Sequence, residues 1–237
     1  MNNQYAPAYR HEPIKRLLEN VYWVHGSVKM APFMYMNRNM VIIKEASELY
    51  LINPIRLNEK EEHKLSALGK IKAIIRLGDF HGLDDQYYVD NFDCEFWCQP
   101  KQTTYSLPKA DHIITNNVKP PFENAEFFIF SKALCPESAL FLRDKKLLIT
   151  TDSIQYWTDW QHMTRTGKAL LWMMGFRTGL FIGKPWLKRV SPKGDSLQED
   201  FNALLQLEFD HLIAAHGKPL FHGAREKVRG LVDTVFS

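Results

Sequence analysis

Short apolar runs separated by polar turns dominate the first half of the chain. Met40–Ile43 and Glu48–Ile52 flank a short polar segment, which predicts a β-hairpin. Asn58, followed three residues later by Glu61, is typical of a helix start, because the two residues can cap the first turn. Ile71–Leu77 is apolar and β-branched, as expected of a buried strand. This order of hairpin, helix and strand favours a layered α/β fold over a helical bundle.

The second half of the chain continues this alternation. Apolar runs predict strands at Glu126–Phe130, Ala139–Leu142, Leu147–Thr150 and Leu212–Ala215. Residues 99–124 are rich in Pro, Thr, Lys and Asn and predict a long surface excursion. Because no stretch has the composition of a linker, we expect one domain over residues 1–237, with a helical, aromatic-rich insertion at about 155–195.

The composition is that of a globular protein. Of the 237 residues, 45% are hydrophobic and 24% are charged, which excludes disordered, collagen-like and coiled-coil chains. Thirty basic and 27 acidic residues leave a net charge of +3, too small to favour nucleic acid as a partner. The three cysteines, an odd number in a chain able to bury its own core, favour a reducing compartment. We therefore expect a cytoplasmic protein.

The most apolar stretch, Ala169–Trp186, is interrupted by Arg177 and Lys184. A membrane-spanning helix needs about 20 predominantly apolar residues, so we expect no transmembrane segment. The Trp, Met and Phe residues of 157–186 have three explanations: the lining of a pocket, a homodimer interface, or an additional core helix that covers the sheet.

Acidic residues and histidines follow three of the predicted strands. They are Asp79, His81, Asp84 and Asp85 after Ile71–Leu77, Asp152 after Leu147–Thr150, and His216 after Leu212–Ala215. Ligand-binding groups in layered α/β folds lie past the carboxyl ends of strands, and imidazole and carboxylate groups are metal ligands. The pattern therefore predicts a metal site. Each residue alone also has a structural explanation, as a turn former, a helix cap or a hydrogen-bonded loop residue.

The order and spacing of these segments resemble the metallo-β-lactamase superfamily. The matching segments are Asn20–Val24 for the first strand, Leu49–Pro54 for the next strand and turn, Ile74–His81 for the strand leading into the His-x-His-x-Asp-His signature, Leu147–Asp152 for the strand ending in the bridging aspartate, and Ala214–Gly217 for the closing His-Gly. Two segments, Arg38–Leu57 and Leu65–Ile75, resemble a divergent branch of that superfamily with a degenerate metal-binding motif. The resemblance implies a four-layer αββα sandwich of α/β class.

The chain departs from the signature at several ligand positions. Asp79 stands where the first histidine is expected, His81 keeps the second, and the place of the third falls at about Leu134. Two registers stay open for the aspartate of the signature. Reading Leu83–Asp84 in register loses that aspartate, whereas one inserted residue gives Asp84–Asp85.

The resemblance then implies two incomplete metal positions. The first keeps Asp79, His81 and Asp152, and the second keeps Asp84 or Asp85, Asp152 and His216. Because carboxylates outnumber imidazoles in this set, iron and manganese are candidates alongside zinc.

Two functions stay open. In the first, the protein is a metal-dependent hydrolase of a small-molecule substrate, in which a metal-activated water attacks an ester, amide, thioester or phosphodiester and Asp84 or Asp85 orients that water. In the second, the protein is a metal-free, non-catalytic relative that binds a ligand or partner on the same scaffold. The sequence does not specify the substrate.

Overall fold

The computed structural model describes residues 5–237, which form thirteen strands and six helices. The strands are β1 (Lys15–Leu18), β2 (Val21–Ala31), β3 (Met34–Glu45), β4 (Glu48–Ile52), β5 (Lys70–Ile75), β6 (Glu95–Cys98), β7 (His112–Ile113), β8 (Ala125–Ile129), β9 (Ser138–Leu142), β10 (Leu147–Thr150), β11 (Gln155–Trp157), β12 (Gly179–Phe181) and β13 (His211–Ala214). The helices are α1 (Glu59–Leu68), α2 (Asp85–Phe92), α3 (Arg165–Met173), α4 (Lys184–Val190), α5 (Gln198–Leu204) and α6 (Ala224–Val235). Within this described part of the chain, no helix is both long and apolar enough to cross a membrane.

The larger sheet has the strand order β1-β2-β3-β4-β5-β6-β7. The first four strands pair antiparallel, and the predicted hairpin is confirmed in β3 and β4. From β4 to β7 the pairing is parallel, which requires crossover connections; α1 and α2 supply the first two. α1 begins at the predicted place because the side chain of Asn58 accepts a hydrogen bond from the backbone amide of Glu61 at 3.1 Å.

The smaller sheet has the order β13-β10-β9-β8, and β11 and β12 form a separate two-stranded sheet. β8, β9 and β10 pair antiparallel, whereas β10 and β13 are parallel neighbours. The carboxyl ends of β10 and β13 therefore lie at the same edge of this sheet. That edge receives the residues that follow both strands.

Apolar side chains alternate between the two faces of each sheet. In β3, Ile43 packs between the two sheets, whereas Ile42 packs in the apolar cluster that includes residues of α1 and α2. In β10, Ile149 packs between the sheets, whereas Leu148 packs with residues of α5 and α6. Successive side chains of a strand point to opposite faces. Each sheet therefore packs against the other sheet on its inner face and against helices on its outer face. The four-layer αββα arrangement is thereby confirmed.

Two segments differ from the expectation. Residues 155–195 contain the helices α3 and α4 and also the two strands β11 and β12. α3 ends before Gly175, whose φ of 89° leaves the helical region. Residues 99–124 do not only cover the surface. They add β7 to the larger sheet and bury Ile114 and Phe122 between the sheets. Because the segment is mostly polar, its composition did not indicate that these two apolar side chains are buried.

Candidate functional site

His81, Asp152 and His216 come together just past the ends of three strands. Asp152 follows β10 and His216 follows β13, so the parallel pairing of these strands brings both residues to one edge. His81 arrives from the loop after β5. Nε2 of His81 lies 3.1 Å from Oδ2 of Asp152, and Nε2 of His216 lies 3.3 Å from Oδ1 of the same carboxylate. One ligand atom from each of the three residues lies within 4.8 Å of the others.

Backbone contacts determine which nitrogen of His216 carries the proton. Nδ1 of His216 lies 2.6 Å from the carbonyl oxygen of Asn37, which can only accept a hydrogen bond. The Nδ1 atom must therefore carry hydrogen, and Nε2 is the nitrogen that faces Asp152. The following Gly217 has φ 84°, and a Cβ there would lie 2.0 Å from the carbonyl oxygen of Tyr156. Only glycine fits this turn, which explains the His-Gly pair.

His81 is equally constrained. Its side chain is 3% exposed, its carbonyl oxygen accepts a hydrogen bond from Nη2 of Arg38, and its Nδ1 is buried without a hydrogen-bond partner in the described structure. Burial lowers the pKa of His81 to about 4, and the positive charge of Arg38 adds to this effect, although Asp152 opposes it. His81 is thus a neutral imidazole at neutral pH and able to act as a metal ligand.

Asp152 is the negative centre of this cluster. Burial alone would raise the pKa of its carboxyl group, but the interactions with His81 and His216 outweigh burial and hold that pKa below its ordinary value. Nε2 of Gln155 also donates a hydrogen bond to Oδ1 at 3.1 Å. The carboxylate is therefore ionised and oriented by its neighbours.

Asp79, a predicted ligand, has its carboxylate occupied elsewhere. Its Oδ1 accepts hydrogen bonds from the backbone amides of Thr103 and Thr104, at 2.7 and 3.1 Å. Its Oδ2 accepts from the two threonine hydroxyls, at 2.7 and 2.8 Å. Burial would raise the pKa of Asp79, but these hydrogen bonds lower it below the ordinary value. Asp79 therefore holds the loop after β6 in place, and its carboxylate is not part of the cluster.

Asp84 and Asp85, the predicted water-orienting residues, also lie apart from the cluster. Oδ2 of Asp85 is 2.6 Å from Nε of Arg76 in an ion pair without exposed surface. Asp84 precedes α2, and burial raises its pKa to about 6 although the charge of Arg38 opposes the shift. Leu83, rather than either aspartate, lines the cavity beside the histidines. Neither aspartate is among the ligand atoms that converge with His81, Asp152 and His216.

Glu137 lies beside the cluster, although the sequence pattern did not indicate it. It is buried, and its Oε1 accepts hydrogen bonds from the hydroxyl of Thr151 and from the backbone amides of Asp152 and Ser153, the latter at 3.2 and 3.1 Å. Burial and the charge of Asp152 raise the pKa of Glu137. Leu134, the expected counterpart of the third histidine, is instead 64% exposed. The signal available in the sequence was an acidic residue directly before the apolar strand β9.

A cavity of about 390 Å³ opens above the cluster. Its walls are mainly apolar, and the charged residues in its lining besides the cluster are Lys29, Arg38 and Arg189. Arg38 is buried, and its Nε has no hydrogen-bond partner among the described residues. The apolar wall includes Met30, Met34, Met36, Leu83, Phe176 and Trp186. The cavity therefore suits a ligand with a substantial apolar part.

Comparison with known proteins identifies the fold. No protein-family model and no curated protein matches the sequence. A structure of the DIM-1 metallo-β-lactamase superposes with a TM-score of 0.67 at 10% identity, over 97% of this chain and 100% of that chain. The mono-zinc form of the metallo-β-lactamase FIM-1 from Pseudomonas aeruginosa gives 0.64 at 10% identity, over 97% and 98%. A metallo-β-lactamase from Erythrobacter litoralis gives 0.58 at 10% identity, over 93% and 92%.

Proposed function

From the metallo-β-lactamase fold and the cluster of His81, Asp152 and His216, we propose that the protein is a metal-dependent hydrolase with a single metal position. The observation that carries the proposal is the 3.3 Å separation of His216 Nε2 from Asp152 Oδ1. Because Nδ1 of His216 donates to the carbonyl oxygen of Asn37, Nε2 is the nitrogen left to face the carboxylate, and a proton or a metal ion can be shared between these two groups.

The donor set fits a catalytic metal. Two imidazoles and one carboxylate are ligands of zinc in hydrolases and of iron in non-haem enzymes, and carboxylate oxygen also suits manganese. Such an ion, when bound, supplies a Lewis acid and lowers the pKa of water for hydrolysis. The hydrogen bonds of Asp79 to Thr103 and Thr104, and the ion pair of Asp85, support one metal position rather than two.

The surrounding residues orient these groups and receive the substrate. Asn37 sets the tautomer of His216, and Glu137 holds the turn that carries Asp152. The apolar wall of the cavity excludes water and binds the apolar part of the substrate. Arg38, buried in the lining with an unpartnered Nε, is placed to bind an oxygen of the substrate. We therefore propose a small-molecule ester, amide, thioester or phosphodiester with a large apolar part as the substrate.

A metal-free binding protein is the second candidate. Leu83 lies in the cavity wall with His81, whereas neither Asp84 nor Asp85 lines the cavity. The cavity can bind an apolar ligand without catalysing a reaction on it. A protein of this kind would bind no metal ion tightly. A measurement of metal binding therefore separates the two functions.

The test is the metal content of protein purified without chelator, measured by elemental analysis and by calorimetric titration with zinc, iron(II) and manganese. We expect about one equivalent of metal per chain, and a loss of affinity of about 100-fold or more in His216→Ala. His63→Ala is the matched control, because the side chain of His63 is 80% exposed on α1. Wild-type protein that binds none of these metals would contradict the proposal and support the binding protein.

A second control separates this cluster from another group of ligand-type residues. One ligand atom from each of Glu12, His25 and His162 also lies within 4.8 Å of the others. The ammonium group of Lys218 is 3.6 Å from Oε1 of Glu12, and its positive charge opposes a cation there. His25→Ala is therefore expected to keep the metal that His216→Ala loses.

A further inference from the structure

Exposed apolar side chains are concentrated beside the mouth of the cavity. We define the rim face as Met30 and Phe33 at the tip of the β2–β3 hairpin, together with Leu170, Trp172, Met173 and Met174 at the end of α3. Phe33, Met173 and Trp172 are 82%, 70% and 58% exposed. Among residues 5–237, these six make up more than half of the large hydrophobic side chains that are exposed. Such a concentration marks an interaction surface.

The two segments of the rim face are joined by hydrogen bonds. The hydroxyl of Thr166 donates to the carbonyl oxygen of Phe33 at 2.7 Å, and the backbone amide of Tyr35 donates to Oγ1 of Thr164 at 3.2 Å. A Cβ at Gly167 would lie 2.8 Å from the carbonyl oxygen of Tyr35, so α3 approaches the hairpin as closely as glycine allows. The hairpin tip and α3 therefore present one continuous surface.

The segment that carries the α3 part of the rim face is strongly basic. Residues 160–194 contain no aspartate or glutamate, although the whole chain has nearly equal numbers of basic and acidic residues. All the basic side chains of this segment are exposed, and none forms an ion pair within residues 5–237. The guanidinium of Arg177 lies 4.5 Å from the ring centre of Trp172, directly at the rim face. These basic residues are Arg165, Lys168, Arg177, Lys184, Lys188, Arg189 and Lys193.

Apolar and aromatic side chains flanked by unpaired cations are complementary to an anionic lipid bilayer. The apolar side chains enter the boundary between headgroups and acyl chains, while lysine and arginine attract the negative surface. A second copy of the chain is a poorer occupant, because a symmetric contact places the same basic residues opposite each other. We propose that the rim face docks onto the surface of an anionic membrane.

Docking in this orientation brings the cavity to the bilayer. Met30 and Met174 belong both to the rim face and to the cavity lining, so the cavity opens at the surface that would touch lipid. An amphiphilic molecule could then pass from the bilayer into the cavity without crossing water. This inference does not depend on metal binding and can be tested with protein free of metal.

The test is co-sedimentation with vesicles of phosphatidylcholine alone and of phosphatidylcholine with phosphatidylglycerol. We expect binding to the anionic vesicles only, and weaker binding at high salt. Trp172→Glu combined with Phe33→Glu should lower the partition coefficient at least about tenfold, because two charges would have to enter the interface. Ile113→Glu is the matched control, since Ile113 is 43% exposed on β7, away from the rim face.

The contribution of charge is tested separately. Lys168→Glu combined with Lys184→Glu should also reduce binding at least about tenfold, whereas Lys60→Glu with Lys227→Glu, at exposed sites on α1 and α6, should change it much less. Circular dichroism confirms that each variant is folded. The proposal would be overturned if the wild-type protein did not bind anionic vesicles. It would also be overturned if light scattering showed a dimer that Trp172→Glu dissociates.

Discussion

Arg76 and Asp85 form an ion pair in which neither side chain has exposed surface, with Nε of Arg76 2.6 Å from Oδ2 of Asp85. The same guanidinium donates to the carbonyl oxygens of Tyr105 and Leu107, both at 3.1 Å. A Cβ at Gly82 would lie 2.5 Å from the guanidinium, so the chain passes very close to it. The pair thereby ties the start of α2 to the loop after β6, and this gives Asp85 a structural role.

We expect Asp85→Asn to lower the free energy of unfolding by about 3–5 kcal/mol, because the buried guanidinium would lose its counter-charge. Urea unfolding followed by circular dichroism measures the change. Asp144→Asn, at an exposed position paired with Lys145, is the control and should change stability by less than about 1 kcal/mol. If the Asp85→Asn protein had wild-type stability but bound no metal, Asp85 would be a metal ligand.

Asp79→Asn separates a structural aspartate from a metal ligand. The substitution replaces one acceptor oxygen by an amide that donates, opposite the hydrogen-bond donors of Thr103 and Thr104. We expect a loss of stability of about 1–3 kcal/mol in urea unfolding and no change in metal affinity by calorimetry. A large loss of metal affinity in a protein of unchanged stability would show instead that Asp79 is a ligand.

Glu137 is expected to position Asp152 rather than bind metal itself. Glu137→Ala removes the acceptor of the backbone amides of Asp152 and Ser153, and should weaken metal binding by about 10- to 100-fold. Glu137→Gln keeps an acceptor oxygen and should restore most of the affinity. Calorimetric titration of the two variants provides the comparison, and equal losses in both would argue against a positioning role.

Glu61 on α1 is expected to make stability depend on pH. Burial would raise its pKa, but hydrogen bonds from Lys64 (2.6 Å) and from the backbone amide of Ile14 (2.9 Å) hold it below its ordinary value of 4.5. Because the folded state binds the proton less tightly, the ionised carboxylate stabilises the protein above pH 4.5. That stabilisation should decline as the pH falls through the lowered pKa.

The measurement is the difference in unfolding free energy between wild type and Glu61→Gln across this pH range. The difference should be largest near neutral pH and should shrink on acidification. Glu59→Gln, at a position of the same helix where the side chain is 92% exposed, is the control. A difference that grows as the pH falls would contradict the assignment of the lowered pKa to the folded state.

Local patterns of the sequence were sufficient for much of the fold and for part of the site. The cap formed by Asn58 and Glu61 marks the start of α1, and two apolar runs on either side of a short polar turn mark β3 and β4, because both signals depend on neighbours a few residues away. The positions of Asp152 and His216 directly after strands also placed them near one another, since parallel strands end at a common edge.

Only the tertiary structure decided which acidic groups remain available at that edge. Asp79 and Asp85 look like ligands in the sequence, but their partners Thr103 and Arg76 come from other segments, and hydrogen bonds to them occupy the carboxylates. In the same way, the sequence left the registers Leu83–Asp84 and Asp84–Asp85 open, and which of these side chains lines the cavity depends on how the loop after β5 packs. The sequence by itself determines which side chains can bind; long-range hydrogen bonding and burial determine which of them still have an unoccupied lone pair, because those partners are set by the fold and not by neighbouring residues.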